Sequence, residues 1–386
     1  MMSQRTLSPV TVQLVLILLS APHTAPELVR SMSDCGRFLL EGSPPQISGI
    51  LEGGNILNQN RYKAVCQTFQ DERRFVTLYD THNRIAVFSA AKYRGEDGTG
   101  RPSNTWKIEP QLENQPANNM GKEKKGKSYT YQARNADYKN NGAFDRGHLI
   151  PSSYGLTKAD RQATFTLTNV VPQARSFNQG SWMRMESCIK CVMDTFCINS
   201  NGLTEAFVVT GAEPSPDNVL ANRVNVPSML WSAFCCYSSN NNRWMASAHW
   251  ADNSPDESKD EHLETKTLEE LQKNLRASGG DVQVFPGTQC PLHTTVTELY
   301  PQIPNCRCPT AGTSAYRSTS GSVRSSAPGS VTRHTTSGSV TRHTTSGSVT
   351  RHTTSGSVTT TAAPPPVYIW LFLTYLQTSH IWPHPR

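Results

Sequence analysis

Phe144-Asp-Arg-Gly-His-Leu-Ile-Pro-Ser-Ser153 is the stretch on which the reading of this chain turns. It places His148 two residues after Arg146, with Gly147 between them allowing close backbone approach. A neutral imidazole is a good general base near neutral pH. A guanidinium stabilises charge on a phosphoryl group. Asn178 follows in Ser176-Phe-Asn-Gln-Gly-Ser-Trp182, and Glu186 stands eight residues beyond it. Trp182, Met185, Ile189, Val192, Met193 and Phe196 recur at helical spacing, so a helix is expected with Asn178, Trp182 and Glu186 on one side. An amide oxygen is a hard ligand suited to Mg²⁺. A base, a hard ligand, an arginine and a helical carboxylate suffice for metal-assisted phosphodiester hydrolysis. Singly, His148 reads as an ordinary histidine, Asn178 as a helix N-cap and Glu186 as a solvated residue. Their joint spacing favours chemistry.

Working outward, Asp145-Arg146-Gly147-His148, Thr168-Asn-Val-Val-Pro-Gln173 and Asn178-Gln-Gly-Ser-Trp182 with Glu186 resemble the DNA/RNA non-specific endonucleases of the ββα-metal (His-Me finger) class. Arg101-Pro-Ser-Asn104, Val208-Val-Thr-Gly211 and Val226-Pro-Ser228 with Trp231 extend the resemblance over most of residues 60 to 290. The resemblance implies an α+β fold, with a mixed or antiparallel sheet and flanking helices. It implies His148 as general base, Asn178 as the sole direct protein ligand of a hydrated Mg²⁺ (with Mn²⁺ as a substitute), and Glu186 ordering the metal's waters. Arg146 then contacts phosphate, and Arg101 matches a second family arginine. Asn169 positions the loop beside the site, and Asp145 orients its neighbours rather than binding metal. The implied partner is the DNA or RNA phosphodiester backbone, and the implied product carries a 5′-phosphate.

Beyond these blocks the texture is mixed α and β. Ala86-Val-Phe-Ser, Tyr129-Thr-Tyr-Gln, Phe207-Val-Val-Thr and Trp244-Met-Ala-Ser-Ala-His-Trp read as strands. Thr267-Leu-Glu-Glu opens a second helix with a capping box. His249 and His262 have no chemical company and read as structural.

The two ends differ from the middle. Arg5 followed by the apolar Val10–Leu19 and small residues reads as a secretory signal over residues 1–25. Export implies an oxidising environment, in which the ten cysteines, all between residues 35 and 308, read as disulfides within a 29–308 catalytic domain. Cys188-x-x-Cys191 has no second pair at zinc-finger spacing. From 309 to 366 the chain becomes a Ser/Thr/Pro-rich stalk, expected to be disordered and O-glycosylated, in which Gly-Ser-Val-Thr-Arg-His-Thr-Thr-Ser recurs from Gly329, Gly338 and Gly347. Residues 367–386 hold a short apolar run, Val367–Leu376, which is too short to span a bilayer. A membrane-anchored protein at the cell surface is the alternative location.

The net charge of +7 misleads. Six arginines and no acid lie beyond residue 308, so the body holds 31 bases against 30 acids. Locally, residues 92–146 carry 11 bases and 7 acids, whereas residues 252–270 carry 8 acids and 2 bases. A basic site face and an acidic face remote from it are therefore expected. Two other readings remain open: a catalytically inactive nuclease-fold module that binds at an immune surface, and a mucin-like glycoprotein whose stalk does the work. The complete constellation argues against the first.

Overall fold

The computed structural model describes residues 27–277, 280–301, 303, 306 and 308. The expected signal, the expected stalk and the apolar C-terminal run lie outside the described residues. Nine strands matter for the site: β1 (Leu28–Val29), β2 (Tyr62–Phe69), β3 (Glu72–Asp80), β4 (Ile85–Tyr93), β5 (Phe144–His148), β6 (Val170–Ala174), β7 (Ala206–Glu213), β8 (Met229–Ser238) and β9 (Arg243–Asp252). The helices are α1 (Lys158–Ala163), α2 (Arg175–Gln179), α3 (Ser181–Phe196), α4 (Leu268–Ala277) and the short α5 (Val296–Leu299).

Seven strands form one antiparallel sheet in the order β1-β2-β3-β4-β7-β8-β9. Tight turns drive the meander: Gln70 and Asp71, both at positive φ, join β2 to β3 in the two-residue geometry that matches strand twist. The one long departure separates β4 from its neighbour β7, and residues 94–205 fill it. That insertion contains the separate antiparallel pair β5–β6, with His148 opposite Val170 and Asp145 opposite Gln173, followed directly by α2 and α3. The result is a ββα unit laid on a large sheet, the α+β architecture expected.

Alternation along the strands gives each sheet face its own core. Tyr79, Tyr93, Val208 and Phe234 pack with Phe177, Trp182, Ile189 and Val192 beneath the ββα unit. Phe88, Val209 and Trp231 pack with Met32, Leu51, Leu271 and Leu275 on the opposite face. Every member of the predicted α3 stripe is buried. Thr267 caps α4 as expected, with its hydroxyl accepting from Glu270 N–H at 3.1 Å and Glu270 Oε2 accepting from Thr267 N–H at 2.8 Å.

Two sequence expectations fail here. Tyr129–Gln132 forms no strand, because the Glu113 carboxylate accepts from the backbone N–H groups of Thr130 and Tyr131 at 2.9 and 3.0 Å and replaces a neighbouring strand. The helix carrying Asn178 is also not continuous with that of Glu186. Gly180, at φ −113° and ψ −110°, breaks it into α2 and α3.

All ten cysteines are paired: Cys35–Cys66, Cys188–Cys308, Cys191–Cys306, Cys197–Cys236 and Cys235–Cys290. Two of these bonds staple α3 to Cys306 and Cys308. Among the described residues no group of three or more His, Cys, Asp or Glu is disposed to hold a metal ion, so Cys188-x-x-Cys191 is a disulfide framework. No helix among them is long and apolar enough to cross a membrane.

His249 is structural, as read. It is 3% exposed on β9, and its Nε2 lies 3.2 Å from the Thr265 hydroxyl. Burial pushes its pKa down to about 3. The unfolded chain takes up this proton near pH 6.5 and the folded chain does not, so stability is lost as pH falls from 6.5 towards 3. The slope from this residue reaches at most about 1.4 kcal/mol per pH unit. His249→Phe should flatten that acid slope, which thermal melts at pH 7 and pH 5 would read.

Candidate active site

Asn169 builds the floor of the site. It is wholly buried, and its Nδ2 donates to the carbonyls of Ile150 and Thr164 at 2.9 and 3.1 Å while its Oδ1 accepts from Ile150 N–H at 3.1 Å. Its own carbonyl accepts from Leu149 N–H at 2.9 Å. The chain leaving His148 is thereby pinned by Asn169. Gly147 has a steric reason: a Cβ there would lie 2.1 Å from Gln173 Oε1 and 2.5 Å from Gln173 Cβ. Gly147→Ala must therefore push β5 away from β6. We expect a loss of about 1–3 kcal/mol, as overpacking gives, and a cleavage rate lower by on the order of 10²-fold, as misplacement near 1 Å gives. Melting and initial rates on the same preparation would check both.

His148 closes β5 in an aromatic frame. Its ring meets Phe165 edge-on with centroids 4.9 Å apart and lies 5.4 Å from Trp106, and those two rings are 5.3 Å apart. Desolvation, reinforced by the positive charge of Arg101, lowers its pKa to about 3, so the imidazole is neutral at physiological pH. Nε2 is buried without a hydrogen-bond partner.

Two arginines flank this frame. Arg101 is exposed and lays its guanidinium 5.3 Å from the centre of the Phe165 ring. Arg146 is sandwiched by Trp106 at 5.2 Å and Tyr138 at 5.1 Å, with Nη2 donating to the Asn135 carbonyl at 3.3 Å. Among the described residues neither guanidinium pairs with a carboxylate, so both charges stay available for an anion.

A second cluster grows from the other side of β5. The Asp145 carboxylate accepts from Arg175 Nε at 3.2 Å, Asn178 Nδ2 at 3.1 Å and Gln179 Nε2 at 2.7 Å. Three donors from α2 thus occupy Asp145. Fixing Nδ2 of Asn178 leaves Oδ1 as the free atom of that amide. Glu186, half-buried on α3, has its pKa raised to about 8 by burial. The indole of Trp182 and then the charge of Arg101 oppose that rise, although the indole falls short of a well-formed hydrogen bond. The field of Arg101 thus reaches both His148 and Glu186.

One member of the acidic stretch, Asp256, does not lie remote from the candidate site. Asp256 packs against the α2–α3 elbow, bonding Ser181 and Ser176. It is drawn there because the first N–H groups of α3 need an acceptor. Sequence reasoning also missed Trp106, Phe165 and Tyr138, which frame His148 and Arg146. An aromatic residue five positions after Arg101 was the only available hint.

The family model described as DNA/RNA non-specific endonuclease matches residues 53–288, which include every site residue named above. The chain belongs to that family. The human Endonuclease domain-containing 1 protein is 29% identical over 210 residues, covering 53% of this chain and 39% of the relative. Its mouse counterpart is 30% identical over 219 residues, covering 53% and 38%. A Nostoc nuclease is 33% identical over 89 residues, covering 23% of this chain and 30% of that protein. The chain thus spans about two fifths of the length of the first two relatives. A chain from the crystal structure of the EndoG/EndoGI complex aligns at 18% identity with a TM-score of 0.44, covering 58% of this chain and 88% of that one.

DNA/RNA non-specific endonucleases are metal-dependent, and the donors present here fit such an ion. Asn178 offers one neutral hard oxygen, held in orientation by Asp145, with the Glu186 carboxyl on the next helix. Hard cations take oxygen ligands of this kind.

Proposed function

We propose that this chain is a secreted, Mg²⁺-dependent endonuclease that hydrolyses DNA or RNA phosphodiester bonds without reading sequence. The observation that carries the reading is a neutral His148 beside two guanidiniums that form no ion pair with a carboxylate among the described residues. The His148 imidazole takes a proton from water as the water oxygen bonds to phosphorus and the P–O3′ bond breaks, leaving a 5′-phosphate. Arg101 and Arg146 hold the phosphate and offset the charge gathering on its oxygens. Asn178 would hold the cation and Glu186 would order its hydration. When bound, that ion supplies positive charge for the departing oxygen, and Mn²⁺ can replace Mg²⁺. Contacts of this kind address the backbone, which accounts for cleavage without base recognition. Export is supported by five disulfides, which persist in oxidising compartments.

The test incubates the purified full chain with supercoiled plasmid, single-stranded DNA and RNA in Mg²⁺, with a chelator control. Cleavage that ends on chelation is expected. All three substrates remaining intact in Mg²⁺ and in Mn²⁺ would sink the enzymatic reading, and a nuclease-fold binding module would take its place.

A further inference from the structure

The elbow at Gly180 divides the helix pair whose two arms carry Asn178 and Glu186, so its angle sets the distance between them. Gly180, at the N-cap of α3, has no side chain to satisfy the first turn. A residue far along the chain does so instead. Asp256 Oδ2 accepts from Ser181 N–H at 2.7 Å, and its Oδ1 accepts from the Ser181 hydroxyl at 2.7 Å. Its backbone N–H donates to the Ser176 hydroxyl on α2 at 3.0 Å, and Arg184 on α3 approaches Oδ2 at 3.5 Å. One residue therefore grips both arms, two positions from Asn178 on one side and five from Glu186 on the other. Its side chain is only 6% exposed.

The glycine belongs to the same device. A Cβ on Gly180 would stand 2.2 Å from Asp256 Oδ2 and 2.4 Å from the Ser176 carbonyl, so only glycine lets the carboxylate close on the elbow. The loop bearing Asp256 is itself fastened to the other half of the ββα unit. Asn253 Nδ2 donates to the carbonyl of Pro172 on β6 at 2.8 Å, and its Oδ1 accepts from Ala174 N–H at 2.8 Å. Arg184 Nε adds a bond to the Glu261 carbonyl at 3.0 Å. Residues 253–261 thus form a strut from the β5–β6 hairpin to the helix elbow.

We infer that Asp256 is a positioning residue that fixes the angle between α2 and α3, and with it the placement of Asn178 relative to Glu186. It acts through Ser176 and Ser181. The kinetic part of this inference rests on the cleavage reading above, whereas its metal-binding part does not.

The experiment titrates Mn²⁺ alone into the intact protein by calorimetry, comparing native protein with Asp256→Ala, Asp256→Asn and Leu271→Ala. The last is a control in the core on the opposite sheet face. Supporting partners of a metal ligand are worth about 10–100-fold in affinity. Asp256→Ala is expected to weaken Mn²⁺ binding by that amount, and Asp256→Asn, which keeps an oxygen for Ser181 N–H, by clearly less. Leu271→Ala should lower the melting temperature without moving Mn²⁺ affinity. In cleavage, Asp256→Ala should lower kcat with little change in KM for nucleic acid, and added metal should recover part of the loss. Mn²⁺ affinity in folded Asp256→Ala within twofold of native, or a loss equalled by Leu271→Ala, would overturn the inference. Native protein that binds Mn²⁺ but cuts nothing would remove the nuclease reading and leave the positioning role supported by the binding series.

Discussion

Substituting alanine for His148 is expected to reduce plasmid and RNA cleavage by on the order of 10²–10⁴-fold, the contribution of a positioned general base. Folding should survive the change, since His148 makes no hydrogen bond through Nε2 and contacts its neighbours by ring packing alone. The pH profile sharpens the prediction. With its pKa lowered to about 3, the base is already neutral at pH 5. Protonation of His148 therefore contributes no acid limb to the native rate between pH 8 and pH 5. The same shift acts on stability: below pH 6.5 the unfolded chain gains a proton at residue 148 that the folded chain refuses. His148→Ala should accordingly melt less acid-sensitively than native protein. Because the ring is half-buried, the effect should be smaller than that of His249→Phe. Native-like cleavage by His148→Ala would refute the assignment of the base.

Much of this site was legible because its chemistry is local in sequence. Arg146, Gly147 and His148 are consecutive, and strand geometry alone puts Arg146 and His148 on one face. The α3 stripe and the Thr267 cap were legible for the same reason, since helix periodicity and capping act over one or two turns. What escaped the sequence depends on partners far along the chain. The 129–132 segment has strand-like composition, yet Glu113 supplies its acceptors and no neighbouring strand is needed. The Gly180 break was invisible because the residue that makes glycine necessary, Asp256, is 76 positions away. Charge counting misplaced one residue for a related reason. It put residues 252–270 on a face remote from the site, whereas Asp256 is held at the elbow and cannot act as a free surface charge. Trp106 and Phe165 lie on opposite sides of β5 in sequence and meet only around the His148 ring. The blocks of the resemblance name candidate residues but do not reveal what holds them.

Asn178→Ala should produce the other large effect, and its comparison with Asp145→Ala tests how the amide is held. Removing the only proposed protein ligand forfeits several kcal/mol of charge stabilisation, or about 10³-fold in rate. Mn²⁺ affinity measured by calorimetry should fall with it. Asp145→Ala leaves the Asn178 oxygen in place but frees Nδ2, so the amide can turn its nitrogen towards the cation. A cation repels that end. The expected loss is about 10–100-fold, typical of a partner that orients a ligand. Asp145→Asn retains an oxygen that can accept from Asn178 Nδ2 at the present 3.1 Å, so it should lose less than Asp145→Ala. Arg175 and Gln179, which share the same carboxylate, would be weakened in both variants and provide an internal control. The double variant decides the mechanism. If Asp145 works through Asn178, Asp145→Ala adds almost nothing once the amide is gone, and the combined loss stays near that of Asn178→Ala. A double variant that loses the product of the two single effects would mean that Asp145 acts independently of Asn178.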